Sequence, residues 1–163
     1  MNRKSRLTSY LLTCGIIAPL MLGAVSYALA LSTPGFDLTR HANSQLVLGQ
    51  YGWVQTANFI LAGLLVMAFA VGARRALKGK PGGLFAPLLI AIYGLFAAVI
   101  VGLHPTDPQF GFPPGTPLEY AGFDQISLSA KIHGIAGMIG FSALTIATFA
   151  FARYFAWMKQ TGW

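Results

Sequence analysis

The sequence predicts an all-α fold: an integral membrane four-helix bundle in up-down order, with both termini cytoplasmic. Three observations predict it. Hydrophobic residues make up 55% of the 163-residue chain and charged residues only 9%, against about 25% charged in an average soluble domain. With a mean hydropathy of +0.63, such a chain cannot clothe a water-facing surface with charge. Four runs free of Lys, Arg, Asp and Glu approach the roughly 20 residues that a helix needs to cross about 30 Å of hydrocarbon. The basic residues gather on one side of those runs.

The first run is 7–31, behind the basic start Arg3, Lys4 and Arg6. Ala28-Leu29-Ala30 resembles a cleavage site. The run is nevertheless longer than the roughly 7–15 residues of a signal peptide's apolar region, so a retained helix is expected. Cys14 sits within it as a small apolar filler. The stretch Leu12-Thr13-Cys14-Gly15 is only superficially like a lipoprotein signal, since Thr13 is a poor residue before the cysteine. A single cysteine excludes an intrachain disulfide. Pro19 is tolerable where neighbouring helices re-satisfy the freed carbonyl. The second run, 54–73, is bounded by Trp53 and by Arg74-Arg75. The third, 84–103, follows Lys80-Pro81-Gly82-Gly83 and stops at His104-Pro105, because a residue before proline avoids the helical region. The fourth is 132–152, ending near Arg153. One transmembrane domain therefore spans 1–163, with outer loops at 32–53 and 104–131.

Of the 11 Lys and Arg, all but Arg40 and Lys131 fall at the N-terminus, in the 74–83 loop or in the tail with Arg153 and Lys159. Cytoplasmic segments collect such charge, which puts both termini inside a bacterial inner membrane. Tyr51 and Trp53 at one boundary, and Tyr154 and Trp157 at the other, suit interfacial aromatic belts. No basic patch is interleaved with exposed aromatics, so the charge of +7 does not point to nucleic acid. Ala68 with Gly72, Ala98 with Gly102, and Ala136 with Gly140 are spaced for close helix approach, within the chain or in a homo- or hetero-oligomer. Gly63, Gly94, Gly134 and Gly137 are read as packing residues too.

All four acids (Asp37, Asp107, Glu119, Asp124) and all three histidines (His41, His104, His133) fall on the outer side. His133 stands out, because an ionisable residue one turn into a span is a functional candidate by default. His104 and Asp107 flank Pro105 in a loop too rich in Pro and Gly to be helix interior. That loop is expected to be a lid pressed on the helix ends by Phe110 and Phe112. Ordinary readings exist for each: an interfacial histidine bonded to a carbonyl, a turn capped by Asp107, a solvated His41. The sharper reading is an outer polar cluster of His104, Asp107, His133, Asp37 and His41. Gln55 and Asn58, a turn apart in the second run, are expected to join helices. There is no Gly-x-Ser-x-Gly, phosphate loop, His-Glu-x-x-His or Cys-x-x-Cys.

Several loop motifs carry a resemblance. They are Gly35-Phe36-Asp37, Gly52-Trp53 with Asn58-Phe59, Pro105-Thr106-Asp107-Pro108 with Pro113-Pro114-Gly115, and His133 opening the fourth run. In these the chain resembles the bacterial membrane family called domain of unknown function 998. The resemblance covers most of the chain and implies a polytopic inner-membrane protein, with no activity attached. Members of that family usually carry about two further helices after the fourth. This sequence stops at Gln160-Thr161-Gly162-Trp163, so a site needing those helices would be incomplete.

Three functions compete. A non-enzymatic membrane component, its outer loops packed as a lid, is favoured. A metal-dependent hydrolase would use histidine and carboxylate ligands, which suit zinc with one position open for water. A b-type cytochrome would hold haem between His104 and His133.

Overall fold

The computed structural model describes residues 3–158. Lys159, counted above with the basic tail, and the end at 160–163 lie outside the described residues. Four helices are long and apolar enough to cross a membrane: α1 (Arg3–Ser32), α2 (Gly52–Ala76), α3 (Phe85–Leu103) and α4 (Leu128–Trp157). No strand occurs among the described residues; the nearest thing is an isolated bridge between Gln109 and Phe112. The helices overrun several of the apolar stretches. α1 takes in Arg3–Arg6, α2 reaches Ala76, and α4 starts at Leu128, so the loops are shorter than the sequence suggested. Charge limits what hydrocarbon can bury, but it does not end a helix, whose turns continue into the polar boundary.

Large apolar side chains cover the flanks. Phe149 is 71% exposed and Leu20 and Met138 are each 67% exposed. In water such a surface would drive association; against acyl chains it is the natural exterior.

The packing is sequential. α1 lies on α2, α2 on α3, and α3 on α4. α1 and α4 nowhere come within 8 Å, Cα to Cα, and neither do α2 and α4. The expected bundle is thus an open row rather than a closed ring. Lipid explains why this is tolerable: no hydrophobic force closes a seam that is already in hydrocarbon. What holds each pair is close approach. A Cβ on Gly140 of α4 would lie 2.5 Å from Ala97 Cβ, and one on Gly63 of α2 would lie 2.6 Å from the Gly94 carbonyl oxygen of α3. Gly72 meets Leu11 of α1, and Gly102 meets Phe59 of α2. Gly72, Gly102 and Gly140, the glycines of the three small-residue pairs, therefore each sit at an intrachain crossing. Gly134 and Gly137 differ, because a Cβ there would find nothing within 4 Å.

α3 is not uniform. Regular turns run Phe85–Tyr93, π-helical turns run Gly94–Ile100, and a last α turn is Val101–Leu103. Such wide turns are rare and recur at functional sites.

Candidate functional site

The site is built where 33–51 and 104–127 fold over the helix ends. Phe112 is only 1% exposed. Its ring meets Phe36 edge-on, with centroids 5.3 Å apart, and lies 5.4 Å from the His41 ring. Hydrogen bonds join the two segments. His41 Nδ1 accepts the Asp37 backbone N–H at 2.9 Å. A nitrogen that accepts carries no proton, so Nε2–H is the donor to the Phe110 carbonyl at 3.0 Å. Gln45, buried, donates from Nε2 to the Gln109 carbonyl at 3.1 Å and accepts the Ala42 N–H at 3.0 Å. The 104–117 loop is therefore an ordered cap, anchored by Phe112 more than by the half-buried Phe110.

Asp37 stands at the edge of this cap. The Thr39 hydroxyl and backbone N–H both donate to its Oδ1. These bonds, with the Thr39 side chain foremost, hold its carboxyl below the usual carboxylate range.

The start of α4 is docked on the end of α3. Asp107 Oδ2 accepts the Ser127 N–H at 2.6 Å, and the Ser127 hydroxyl in turn caps Ala130 N at 3.1 Å. Ser129 donates to the Pro105 carbonyl at 2.9 Å. The His133 ring reaches His104 through that residue's main chain: Nδ1 lies 2.7 Å from the His104 carbonyl oxygen. The sequence explains why this carbonyl is free. Pro105 forces His104 out of the helix, with φ −117° and ψ 91°, and Pro108 has no N–H to offer in an α turn. A carbonyl only accepts, so Nδ1 carries the proton. Nε2 faces the Ser44 hydroxyl at 3.1 Å.

The five sequence candidates thus fall into three arrangements. Asp37 and His41 belong to the cap. Asp107 belongs to the α4 cap. His133 binds the His104 carbonyl and Ser44. Among the described residues, no three His, Cys, Asp or Glu side chains are grouped to hold a metal. Both His133 ring nitrogens have partners within the protein. Sequence reading passed over Ser44. It lies 89 residues from His133, and its only signal is a polar trio, Asn43-Ser44-Gln45, opening the short 3-10 turn Asn43–Leu48.

A second polar group lies between α1 and α2. Gln55 Nε2 and Asn43 Nδ2 both donate to Ser26 Oγ, at 2.9 and 3.2 Å, and Asn58 Nδ2 donates to the Leu22 carbonyl at 3.2 Å. Gln55 is fully buried.

Two cavities meet at Ser44 and His133. On the cap side is a vestibule of about 250 Å³, lined among others by Gln45, Thr106, Gln109 and Tyr120. On the helix side is a cleft of about 270 Å³, lined mainly by Leu22, Phe59, Tyr93, Ala97, Val101 and Phe141. Leu22 and Tyr93 also line a further apolar hollow of about 190 Å³ that reaches Gly15, Pro19 and Leu144.

The family model for a protein of unknown function, DUF998, matches residues 16–163. The chain belongs to the DUF998 family. Comparison with curated proteins and with solved structures finds no match. The DUF998 match takes in both cap segments, Ser44 and His133, and all of α2 and α3.

Proposed function

We propose that this DUF998 protein is a bacterial inner-membrane component that takes the acyl chain of a membrane lipid into the cleft between α1 and α4. The carrying observation is the open row. α1 and α4 stay apart, α2 and α3 floor the gap, and apart from Tyr93 the lining is apolar down to Pro19, with Asn43, Ser44 and His133 gathered at one end. That gradient suits an amphiphile with its tail between the helices and its ester at the polar boundary. Gly137, which lines the cleft, packs against nothing and keeps it wide. Binding of this kind needs no catalysis.

The orientation belongs to the same reading. The helices alternate in direction, with both termini and the 74–83 turn cytoplasmic and the cap outside. Support comes from charge: Arg74, Arg75, Lys78 and Lys80 join Arg3, Lys4 and Arg6 at the basic end, where Arg75 Nε donates to Thr8 Oγ1 at 3.1 Å. A reporter active only in the periplasm should work when fused after Gly115 and fail after Trp163; the reverse pattern overturns the orientation.

Lipid occupancy is tested with the full chain in phospholipid nanodiscs containing a phosphatidylcholine that bears a diazirine on its acyl chain. Cross-links should map to Leu22, Tyr93 and Phe141. Cross-links spread evenly over the exposed faces of α1 and α4, or displaced from the cleft by a second copy of the chain, would end the proposal.

A further inference from the structure

Resting on the lipid-cleft reading, we propose that Ser44 is a nucleophile and His133 its general base, and that the site hydrolyses carboxylic esters of long acyl chains. The geometry is that of an activated hydroxyl. A nucleophile within hydrogen-bond reach of a base, with the base oriented by a third group, is the recognisable pattern. Here the reach is 3.1 Å and the orienting group is the His104 main-chain carbonyl at 2.7 Å. That carbonyl fixes the neutral tautomer. With the proton on Nδ1, the Nε2 lone pair points at Ser44. A carbonyl does for the ring here what a carboxylate does in the serine hydrolase triad, holding it in position without itself taking the proton.

Placement is the second argument. Ser44 and His133 line both the vestibule and the cleft. An acyl chain lying against Phe59, Tyr93 and Phe141 would present its carbonyl carbon at Ser44. The alcohol portion would then occupy the vestibule, whose Gln45, Thr106, Gln109 and Tyr120 suit a neutral polar group. Water reaches the same serine from the vestibule.

The reaction balances without a cofactor. Ser44 Oγ bonds to the ester carbonyl carbon as its proton passes to His133 Nε2. The C–O bond to the alcohol breaks, and His133 returns that proton to the departing alkoxide. Water then attacks the Ser44 acyl ester, giving one proton to His133. The acid leaves, and the proton returns to Ser44 Oγ. The products are a carboxylic acid and an alcohol.

The test uses the full chain in phospholipid nanodiscs and two probes. A fluorophosphonate bearing a long alkyl chain should label Ser44, located by mass spectrometry of the peptide, and Ser44→Ala should abolish the label. With 4-nitrophenyl decanoate, His133→Gln should slow nitrophenol release by about 100-fold or more, the range of general-base contributions. Thermal unfolding of both variants shows that they remain folded. Labelling elsewhere in the chain, no labelling, or an unchanged rate in a folded His133→Gln overturns the inference. The diazirine lipid separates the two readings. Cleft cross-links in a protein that takes no fluorophosphonate leave lipid binding standing and remove the chemistry. Labelling at Ser44 without cleft cross-links removes the acyl-chain site and, with it, this substrate class.

Discussion

The α1–α2 seam and the α3–α4 seam solve the same problem with different chemistry. Ser26, Gln55 and Asn58 tie α1 to α2 by buried hydrogen bonds near the cap end of the two helices. Along their spans α3 and α4 meet through Gly140 on Ala97 and through the buried Ala147 beside Ile90, while hydrogen bonds join them where α4 begins, from His133 and Ser129 to the His104 and Pro105 carbonyls. In lipid both devices work, because neither depends on expelling water. They fail differently. A packed seam is intolerant of volume, whereas a polar seam is intolerant of losing a partner. Asn58 shows how little slack the polar seam has, since its Oδ1 is buried and meets no donor among the described residues.

The largest effect should come from volume in the packed seam. Gly140→Leu drives atoms into Ala97, whose Cβ and backbone nitrogen lie 2.5 and 2.6 Å from the added Cβ position. A loss of about 3 kcal/mol is expected, the upper end of ordinary overpacking. Gly134→Ala, with open space around it, should change stability by less than about 0.5 kcal/mol. Thermal unfolding in detergent compares them, and equal effects would remove the distinction between packed and open glycines.

The polar seam should respond next. Gln55→Leu keeps bulk but strips Ser26 of one of its donors and of the Gln55 acceptor, leaving Asn43 and Asn58 to compensate. A cost of about 1–2 kcal/mol is expected for such an interhelical bond. Gln55→Leu measured as neutral would mean that this seam too is held by packing.

Smaller again is the docking of α4. Asp107→Ala removes the acceptor for Ser127 N–H and should cost about 1 kcal/mol, as loss of a helix cap does. Faster amide exchange over the first turn of α4 would report it, with α1 and α2 unchanged. Asp107→Asn, which keeps an acceptor, should lie between the two. If exchange rises in every helix alike, α4 does not move independently.

The smallest effect belongs to Asp37, fully exposed at the edge of the cap. Its pKa is lowered, chiefly by Thr39. The carboxylate's contribution is therefore present above the unfolded-state pKa and is lost as pH falls through the folded value. Thr39→Val should narrow the stability gap to wild type on acidification, leaving the two alike at low pH. A gap that widens on acidification would reverse the sign.

Much of the fold was legible because the signals were redundant. Four uncharged runs mark the four apolar helices and Pro105 marks the end of the third, so no single position had to be read correctly. The site was less legible. His133 stood out as an ionisable residue in a span, and it does face His104. The link, however, is a backbone carbonyl freed by two prolines, which a list of side chains cannot contain. Ser44 carried little signal beyond the polar trio Asn43-Ser44-Gln45, because a serine in a polar loop is ordinary until a partner 89 residues away reaches it. The open row was hidden for another reason. Hydropathy says which segments enter the bilayer, but in lipid an apolar face carries no instruction to meet another apolar face.

The π-helical turns of α3 add a constraint of register. They absorb extra chain between Phe85–Tyr93, which packs below, and the turn that presents the His104 carbonyl. Removing one residue between Gly94 and Ile100 would let α3 run as an ordinary helix with its two ends still in register, because the wide turns hold the extra residue. The His104 carbonyl would go on facing His133. A residue removed from the regular turns Phe85–Tyr93 has no such slack, and by turning the chain about 100° it would swing the carbonyl away while α3 kept its apolar character.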